Sequence, residues 1–488
     1  MTGIGGEVGP AAFVAALRGR EPVRATAIAW NMVDRKLDLK AQWAAVARFA
    51  ATEAEWPLAV AAMRRFVADD PASTDRRLSL AETLAEAGRA DEAIGELEAL
   101  SATARGDARV DHFFGALLIE HGRREAGIER LRAALRTRPE SGATWLALAN
   151  ARRFTSGDPE LAALDGAATL FSRAPAIERA AWCYARGKAL DDLGEHERAF
   201  DAFAEGARLV AAERPYDPRA DHAAALATIE GFDDAWLHAP KSGAGGRAIL
   251  VTGKPRSGTT LIESILASHS EVADGGEVNL LGPAAQAIGG PSVASLAARM
   301  RLSGNWAPFR DRYAALLTGR FGPEGRVVDK SLNTSRFAGV VRLAMPETPL
   351  VWLRRDPLDT AWSSFRTFFA RGVAWSFDLE AMAWHHAIED RLHAFWSERY
   401  GPRLLTLSYA ELVERPDATI DRLLAHCGLE AEPGVRDFHR TERAVRTASV
   451  VQVRRPVNRD GIGTSEPHRA RLTSYERAYQ KAHRVLTI

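Results

Sequence analysis

Two patterns of apolar and polar positions divide the chain. From about residue 35 to residue 209, apolar residues recur at helical spacing among Ala, Leu, Glu and Arg, and strand signals are few. Beyond about residue 247, short β-branched runs alternate with helical patterns, which is typical of an α/β domain with a mainly parallel sheet. A stretch broken by Pro and Gly separates the two parts. We therefore expect an all-α domain followed by an α/β domain.

The predicted strands of the second part are four short runs: "AILVTG", "RVVDK", "PLVWLRR" and "RLLTLSY". The full prediction is a helical lead-in over residues 1–34, a repeat-like helical domain over 35–212, a linker over 213–246 and the α/β domain over 247–488. For the last we expect a P-loop-like fold with three layers and a parallel sheet.

The helical part repeats itself. "LAETLAEAGRADEAIGELEAL" is echoed by "GALLIEHGRREAGIERLRAAL", which places Gly88 and Gly122 34 residues apart. A later copy has Gly194 at the same point, and a degenerate earlier copy has Ala54 there. This period, with small residues at fixed positions, predicts a tetratricopeptide-type solenoid, whose concave face usually binds a protein or peptide. The alternative is a plain helical bundle whose alanines recur by composition alone.

Composition narrows the class of protein. The net charge of +1 gives no reason to expect nucleic acid or an acidic membrane as a partner. Cys183 and Cys427 are the only cysteines, which excludes a disulfide scaffold and fits a reducing compartment. The N-terminal residues lack the pattern of a signal peptide, and no apolar run approaches the roughly 18 residues of a membrane span. We expect a cytoplasmic protein that does not enter membranes.

The first predicted strand runs into a phosphate-binding type of loop. In "GKPRSGTT", Gly253 and Gly258 keep the Walker A spacing, but Thr259 stands where that motif has lysine. Backbone N–H groups and the helix dipole at the start of the next helix form an anion site, to which Thr260 adds a hydroxyl and Arg256 a fixed charge. Because this lysine is missing, we expect a nucleotide whose phosphate chain is shorter than that of a triphosphate or carries a different charge.

A second motif predicts a second phosphate site. "PLVWLRRDPLDTAWSSF" reads as a strand followed by a helix with Asp356 as N-cap and Pro357 in its first position. Arg355 then lies at the strand end, where open α/β sheets bind ligands, and Ser363 lies two turns into the helix. The alternative is that Arg355 pairs with a surface carboxylate and Ser363 is only a solvated helix residue.

Together the two motifs resemble those of the sulfotransferases that use 3′-phosphoadenylyl sulfate (PAPS). The resemblance extends from residue 248 to about residue 458 and is strongest to tyrosylprotein sulfotransferases and to bacterial fusions of tetratricopeptide repeats with such a domain. It implies a PAPS-dependent transferase that moves a sulfuryl group to a hydroxyl acceptor, such as a protein or peptide tyrosine, and that needs no metal.

The resemblance also implies roles for individual residues. Glu277 stands where the family has its catalytic base, and Lys330 and Ser449 align with groups that stabilise the leaving phosphate together with the loop arginine. The residues implied in binding the 5′-phosphosulfate are Arg256, Ser257, Gly258, Thr259 and Thr260. Those implied at the 3′-phosphate end and in the C-terminal stretch around the cofactor are Arg355, Ser363, Tyr409, Gln452, Val453, Arg454, Arg455 and Pro456.

The sequence departs from the family's pattern in three places. Arg455 stands where lysine is usual. Beyond Asn458 the family usually carries a Lys-Trp or Arg-Trp pair, which is absent here, so Arg459 and Arg469 are the alternatives for the cation of that pair. A further family arginine aligns with Thr367, which stands beside Arg366. The predicted partners are a hydroxyl acceptor and a protein that the repeats bind. Alternatively, the repeats form a homodimer. We expect neither nucleic acid nor a membrane as a partner.

Three other hypotheses remain open from the residues. A nucleotide kinase with a degenerate loop would need ATP and Mg²⁺, although no second acidic motif for the metal is evident. A non-catalytic repeat-protein scaffold would need neither donor nor acceptor. Finally, one helical pattern places four potential metal ligands on one face, which we instead expect to be the solvated side of a helix: His386, Glu389, Asp390 and His393.

Overall fold

The structure is a computed structural model that describes residues 9–104, 106–238, 246–369, 372–440 and 455–486. Within these residues the chain forms helices up to residue 230 and a mixed α/β arrangement from residue 248 onward. The predicted fold class is therefore confirmed. Cys183 and Cys427 are both buried free thiols.

The N-terminal part consists of helices that pack in antiparallel pairs. Their bounds are α1 Pro10–Arg18, α2 Pro22–Asp34, α3 Trp43–Thr52, α4 Trp56–Asp69, α5 Thr74–Glu86, α6 Ala90–Thr103, α7 Ala108–Glu120, α8 Arg124–Thr137, α9 Gly142–Ala151, α10 Pro159–Gly166, α11 Ala168–Phe171, α12 Ala176–Asp192, α13 His196–Glu213 and α14 Pro218–Glu230. The last of these and a 3₁₀ turn at Asp234–His238 lie within the predicted linker.

Small residues shape the repeats as the period predicts. The turn glycines Gly88, Gly122 and Gly194 all have positive φ, between 76° and 88°, a conformation that costs glycine little. Ala54 takes the same left-handed conformation, with φ 56°, at the turn where the other copies have glycine. The repeat geometry therefore persists at this position even though an alanine must bear the backbone strain.

The C-terminal part is built on a five-stranded sheet, all of it parallel, with the order β2-β3-β1-β4-β5. Four strands correspond to the predicted runs, and β2 was not predicted because only three residues form it. The bounds are β1 Ala248–Gly253, β2 Val272–Asp274, β3 Arg326–Asp329, β4 Leu350–Arg354 and β5 Leu404–Ser408. All six residues of β1 are buried, as expected for the central strand of a covered sheet.

Helices cover both faces of this sheet. Two separate apolar clusters lie on its opposite faces, one containing Leu250 and Trp352 and the other Val251 and Leu353. The helices are α15 Thr259–Leu266, α16 Leu281–Ala285, α17 Val293–Leu302, α18 Ala307–Phe321, α19 Thr334–Ala344, α20 Pro357–Phe365, α21 Leu379–Tyr400, α22 Tyr409–Glu414, α23 Pro416–Cys427, α24 Pro433–Arg436 and α25 Thr473–Leu486.

The solenoid docks on the α/β domain at two places. Near its start, the guanidinium of Arg320 on α18 lies 5.4 Å from the ring centroid of Trp56 on α4. Near its end, Phe200 on α13 stacks on Trp362 of α20 with 5.9 Å between ring centroids, and Arg471 donates to Glu197 at 2.7 Å. Helices α5 to α7 lie between these two contacts, so one side of the solenoid faces the α/β domain across a gap.

Candidate active site

The carboxyl ends of all five strands contribute to one site. β1 leads into the loop 254–258, and β3 is followed directly by Lys330. β4 and β5 are followed by Arg355 and Tyr409, and β2 by the turn that carries Glu277. Because the strands are parallel, these chain segments emerge at the same edge of the sheet, where ligands of open α/β folds bind.

The loop after β1 adopts a conformation that depends on its glycines. Gly253 and Gly258 have φ values of 148° and 104°, and the non-glycine Arg256 is also in the left-handed region at 67°. A Cβ at Gly258 would lie 2.7 Å from Cδ2 of Tyr409, so only glycine allows the tyrosine ring to pack against the loop. Ser257, Thr259 and Thr260 are all buried in or just after the loop.

Arg256 joins the two predicted phosphate sites. Its Nε donates to Oγ of Ser363 at 3.1 Å, and its backbone carbonyl accepts from Nη1 of Arg355 at 2.8 Å. Burial and the nearby charges of Arg366 and Arg355 lower the pKa of Arg256 to about 10. The structure thus brings the predicted residues Arg256, Arg355 and Ser363 into one contiguous group.

This group contains polar atoms without protein partners. Ser257 is 1% exposed, and its buried Oγ has no hydrogen-bond partner among the described residues. The same is true of Nε of Arg355, although the other nitrogens of that side chain are engaged. Buried polar atoms are normally paired, so a polar ligand is the expected partner here. An anion would also relieve the mutual repulsion of the guanidinium groups.

Tyr409 closes the outer side of the group. Its ring lies beneath the guanidinium of Arg355, with 5.0 Å between Cζ and the ring centroid. On its other edge Gly461 approaches so closely that a Cβ at that position would overlap the tyrosine hydroxyl. Burial raises the pKa of Tyr409, although Arg355 opposes the shift, so the phenol is protonated at neutral pH.

The C-terminal loop is tied to the site by Asp359 on α20. This carboxylate accepts from the backbone N–H groups of Gly463 and Ser465 at 2.8 and 2.9 Å, and from the Ser465 hydroxyl at 2.8 Å. Burial alone would raise the pKa of Asp359, but these hydrogen bonds outweigh it and lower the pKa. Arg355 adds a bond to Oγ1 of Thr464 at 3.3 Å. The loop therefore reaches the residues predicted to bind the cofactor without the family's tryptophan.

Lys330 and Glu277 form the second group. Lys330 is 2% exposed, and its Nζ donates to Oε1 of Glu277 at 3.1 Å. Burial works against the charge of Lys330, but Glu263 and Glu277 together raise its pKa above the ordinary value. Glu277 has a 41% exposed side chain and so remains open to a ligand. The pair combines a fixed buried cation with an accessible carboxylate.

Glu263 on α15 is a member of this group that the sequence analysis missed. Its Oε2 lies 3.8 Å from Nζ of Lys330, and its Oε1 accepts from the N–H of Gly276 at 2.7 Å. Burial raises the pKa of Glu263 well above its ordinary value, while Lys330 opposes the shift. A sequence signal did exist: Glu263 is a carboxylate within the apolar stripe of a short helix. It anchors both Lys330 and the turn that precedes Glu277.

Glu263, Glu277 and Thr260 line a cavity of about 1220 Å³ that the α/β domain shares with the solenoid. We call it the interdomain cavity. Its far wall consists of residues of helices α3 to α7 and of the turn at Gly88. Trp56, Phe113 and Phe321 supply aromatic surface to it. The proposed catalytic pair therefore opens toward the repeats.

The remaining predicted residues have different positions. Ser449, Gln452, Val453 and Arg454 lie outside the described residues. Arg455 and Pro456 are exposed, and Arg455 pairs with Asp460 at 2.7 Å. The two alternatives for the missing family cation are likewise at the surface: Arg459 pairs with Glu414, and Arg469 pairs with Glu466 and Glu476. The described structure thus keeps these three arginines in exposed pairs.

Arg366 is a second residue to which the sequence analysis assigned no role. It stands next to Thr367, the position of the further family arginine, and its charge contributes to the lowered pKa of Arg256. Its Nη1 donates to Oδ2 of Asp191 on α12 at 3.0 Å. The repeat domain thus holds a guanidinium close to the proposed cofactor site.

Three of the four ligand-type residues on α21 are buried and Asp390 is partly buried, so they do not form the solvated face that we expected. Each has protein partners: His386 bonds to Tyr475, Glu389 to Ser335, Asp390 to Lys254, and His393 to Thr406. In the part of the chain that the structure describes, the group with atoms close enough to hold a metal is another one: Asp191, His196 and His468. No helix among the described residues is long and apolar enough to cross a membrane.

Comparison with known proteins agrees with this architecture. Residues 248–433 match the model of the sulfotransferase family, and residues 52–113 match the tetratricopeptide repeat model. An uncharacterized protein of Aquifex aeolicus (strain VF5) is 32% identical over 308 residues. This match covers 59% of the chain, and it spans only 40% of the length of that relative.

Solved structures with partial similarity include three sulfotransferase-related proteins. The sulfotransferase domain of the curacin biosynthetic pathway has a TM-score of 0.33 at 14% identity, covering 49% of this chain and 98% of that one. A sulfotransferase of Mycobacterium tuberculosis H37Rv scores 0.29 at 16%, covering 62% and 99%. Retinol dehydratase in complex with androsterone and the inactive cofactor PAP scores 0.29 at 16%, covering 49% and 81%. The two family models confirm the predicted resemblance to sulfotransferases and to tetratricopeptide repeats.

Proposed function

We propose that this chain, which carries a sulfotransferase family domain behind tetratricopeptide repeats, transfers a sulfuryl group from PAPS to a hydroxyl acceptor. The observation that carries the proposal is the arrangement at one sheet edge. An arginine-rich group with unpartnered buried polar atoms lies beside a buried lysine that is paired with an accessible carboxylate. The arginine-rich group suits a nucleotide with two separate phosphates, and the lysine–carboxylate pair suits proton transfer and charge stabilisation next to that nucleotide.

The donor is proposed to bind along the loop and the end of β4. The buried hydroxyls and helix-start N–H groups of residues 257–260 would hold the sulfated 5′-phosphate. Arg355 and Ser363 would hold the 3′-phosphate, with Tyr409 packed against that end. Arg256 contacts Ser363 and therefore lies between the two, where its fork of donors serves either phosphate. PAPS supplies the activated sulfuryl group and a stable phosphate leaving group.

The chain's own catalytic contribution is mainly electrostatic. We propose that Lys330 and Arg256 neutralise negative charge that develops on the leaving oxygen, as in phosphoryl transfer. Glu277 would accept the acceptor's proton late in the reaction, because an ordinary carboxylate is too weak a base to ionise a phenol beforehand. The buried Glu263 holds Lys330 in place from the opposite side of its ammonium group. Ser449 stays a prediction from the family resemblance.

The domain boundaries, a protein contact of the repeats and a cytoplasmic location also stay proposals. The structure supports a linker that is partly helical, since α14 lies within residues 213–246. The repeats support a macromolecular partner in general, because a solenoid offers an extended concave surface.

Titration calorimetry with 3′-phosphoadenosine 5′-phosphate (PAP) tests the donor site. The wild-type chain should bind PAP, and Arg355→Ala should weaken binding by about 30-fold or more, because a charged hydrogen-bonding group in a largely buried site is lost. Arg354→Ala is the matched control. That neighbouring side chain is exposed, and among the described residues its ion pair is with Asp390 at 3.7 Å, so PAP affinity should be unchanged.

Three other results would count against the proposal. Binding of ATP–Mg²⁺ without PAP would favour the kinase hypothesis, and binding of neither would favour the scaffold. Equal losses in Arg354→Ala and Arg355→Ala would mean that the effect is one of net charge rather than of a built site. If PAP binds as expected, transfer of labelled sulfate from PAPS to a tyrosine peptide, abolished in Glu277→Gln, tests the catalytic step.

A further inference from the structure

The charged side chains that line the interdomain cavity are mostly acidic. Seven carboxylates line it, against one arginine and one histidine. Two of the seven, Glu263 and Glu277, lie beside Lys330. Three others belong to the solenoid helices α5 and α6 and face the α/β domain across the gap: Glu82, Glu86 and Asp91. The wall opposite the proposed catalytic pair is thus negatively charged.

These three carboxylates differ from their neighbours in having no ion pair among the described residues. On the same helices, outside the cavity, Glu92 pairs with Arg64 and Arg89, Glu96 pairs with Arg77, and Asp75 pairs with Arg109. Inside the cavity, burial and the nearby Glu86 raise the pKa of Glu82, which is the effect expected of like charges that lack a cation. Glu98 of α6 likewise pairs with Arg123, so on α5 and α6, within the described part of the chain, the carboxylates outside the cavity are paired with arginines and those that line it are not.

The size and surface of the cavity indicate what kind of partner. A volume of about 1220 Å³ exceeds the roughly 300–1,000 Å³ typical of small-molecule pockets. Phe113 places aromatic surface in the solenoid wall, next to Trp56, whose ring already lies near Arg320, and aromatic rings bind ammonium and guanidinium groups through their faces. Concave solenoid surfaces characteristically hold extended peptide segments.

We propose that the interdomain cavity binds the acceptor as a basic peptide segment, with lysine or arginine residues against α5 and α6 and the acceptor hydroxyl at Glu277. This inference rests on the proposed function for the identity of the reaction, and it adds the chemical class of the substrate. One wall of the cavity recognises the flanking cations, and the opposite wall carries the reacting groups. Specificity and chemistry therefore belong to different domains of the chain.

The test measures peptide binding by fluorescence anisotropy with the full chain and saturating PAP. The probes are three labelled peptides of equal length with one central tyrosine, flanked by lysines, by glutamates or by serines. We expect the lysine peptide to bind about tenfold or more tightly than the glutamate peptide, with binding weakened at high salt. The same peptide should be sulfated in preference to the glutamate peptide.

Two triple variants localise the effect. Glu82→Gln, Glu86→Gln and Asp91→Asn together remove the cavity charges and should weaken lysine-peptide binding by about tenfold while PAP affinity is unchanged. The matched control neutralises three carboxylates of α6 that do not line the cavity, by Glu92→Gln, Glu96→Gln and Glu98→Gln. It changes the net charge equally and should leave peptide binding within about twofold.

The outcomes separate this inference from the proposed function. A chain that binds PAP but binds the glutamate or serine peptide as well as the lysine peptide refutes the basic acceptor alone. Equal losses in the two triple variants refute the cavity as its location. A chain that does not bind PAP refutes the sulfotransferase proposal, and with it the role of the cavity in that reaction.

Discussion

The contact between Lys330 and Glu263 makes a prediction that can be worked out in detail. Glu263 is 3% exposed, and Lys330 is the cation in contact with it among the described residues. Lys330→Met removes that cation and leaves a buried carboxylate. An unpaired buried charge is so unfavourable that the carboxyl group takes up a proton instead. The pKa of Glu263, already raised by burial, must therefore rise further in the variant.

The sign of the stability effect follows from proton binding. Below the ordinary value of 4.5, Glu263 is protonated in both the folded and the unfolded chain, and the raised pKa has no cost. As the pH rises above that value, the unfolded chain releases the proton while the folded chain retains it. Stability then falls with pH by up to about 1.4 kcal/mol per pH unit until the folded pKa is reached. Lys330→Met extends this window upward, so the variant should lose stability relative to the wild type as the pH rises above the raised pKa that Glu263 has in the folded wild type.

The assay is urea unfolding followed by tryptophan fluorescence at several pH values. The wild type, Lys330→Met and the double variant Lys330→Met/Glu263→Gln are compared, because glutamine cannot titrate and should abolish the additional slope. In the same samples, Lys330→Met should reduce sulfate transfer by about 10²–10³-fold, the usual effect of removing one donor that stabilises developing charge. If the single and double variants show the same pH dependence, Glu263 is not the titrating group and the reasoning fails. Unchanged transfer would refute the catalytic role of Lys330.

Two further predictions concern the closure of the proposed cofactor site. Asp359→Asn should lower PAP affinity in calorimetry by about tenfold or more, because the loop 463–465 loses its charged hydrogen-bond acceptor, and equal affinities would contradict this role of Asp359. Since the pKa of Asp359 is lowered, the wild-type loop should resist proteolysis above about pH 4 and loosen only as the pH falls through that pKa. Gly258→Ala should weaken PAP binding by at least about tenfold, since the backbone is left-handed and the new Cβ would meet Tyr409. Gly194→Ala, strained in φ but with open space, is its control and should destabilise the repeats without changing PAP affinity.

Local interactions explain which parts of this site the sequence made predictable. The buried strand, glycine loop and helix start at residues 248–266 form within a short segment, so spacing alone indicates them. Asp356 caps its own helix through the N–H of Asp359, and Pro357 occupies the first turn, as predicted. The turn glycines of the repeats follow from a conformation that other residues rarely adopt. In each case the residues that decide the structure are neighbours along the chain.

The short strand β2 and Glu263 show where local patterns were insufficient. Three residues carry too little alternation to predict a strand, and β2 exists because β3 offers it a partner. Within the local pattern of its own helix, Glu263 is only a polar residue among apolar ones. Its role depends on Lys330, which is 67 residues away in the sequence and 3.8 Å away in space.

The amino-acid sequence by itself therefore determined the two architectures, the phosphate-type loop and most of the residues proposed to bind the donor. Only the tertiary structure decided that Arg256 joins the two phosphate sites, that Asp359 holds the C-terminal loop, and that unpaired acidic side chains of the solenoid face Glu277. The physical reason is that a parallel sheet collects the ends of distant strands at one edge, and the docking of α4 and α13 sets which face of the repeats looks toward that edge.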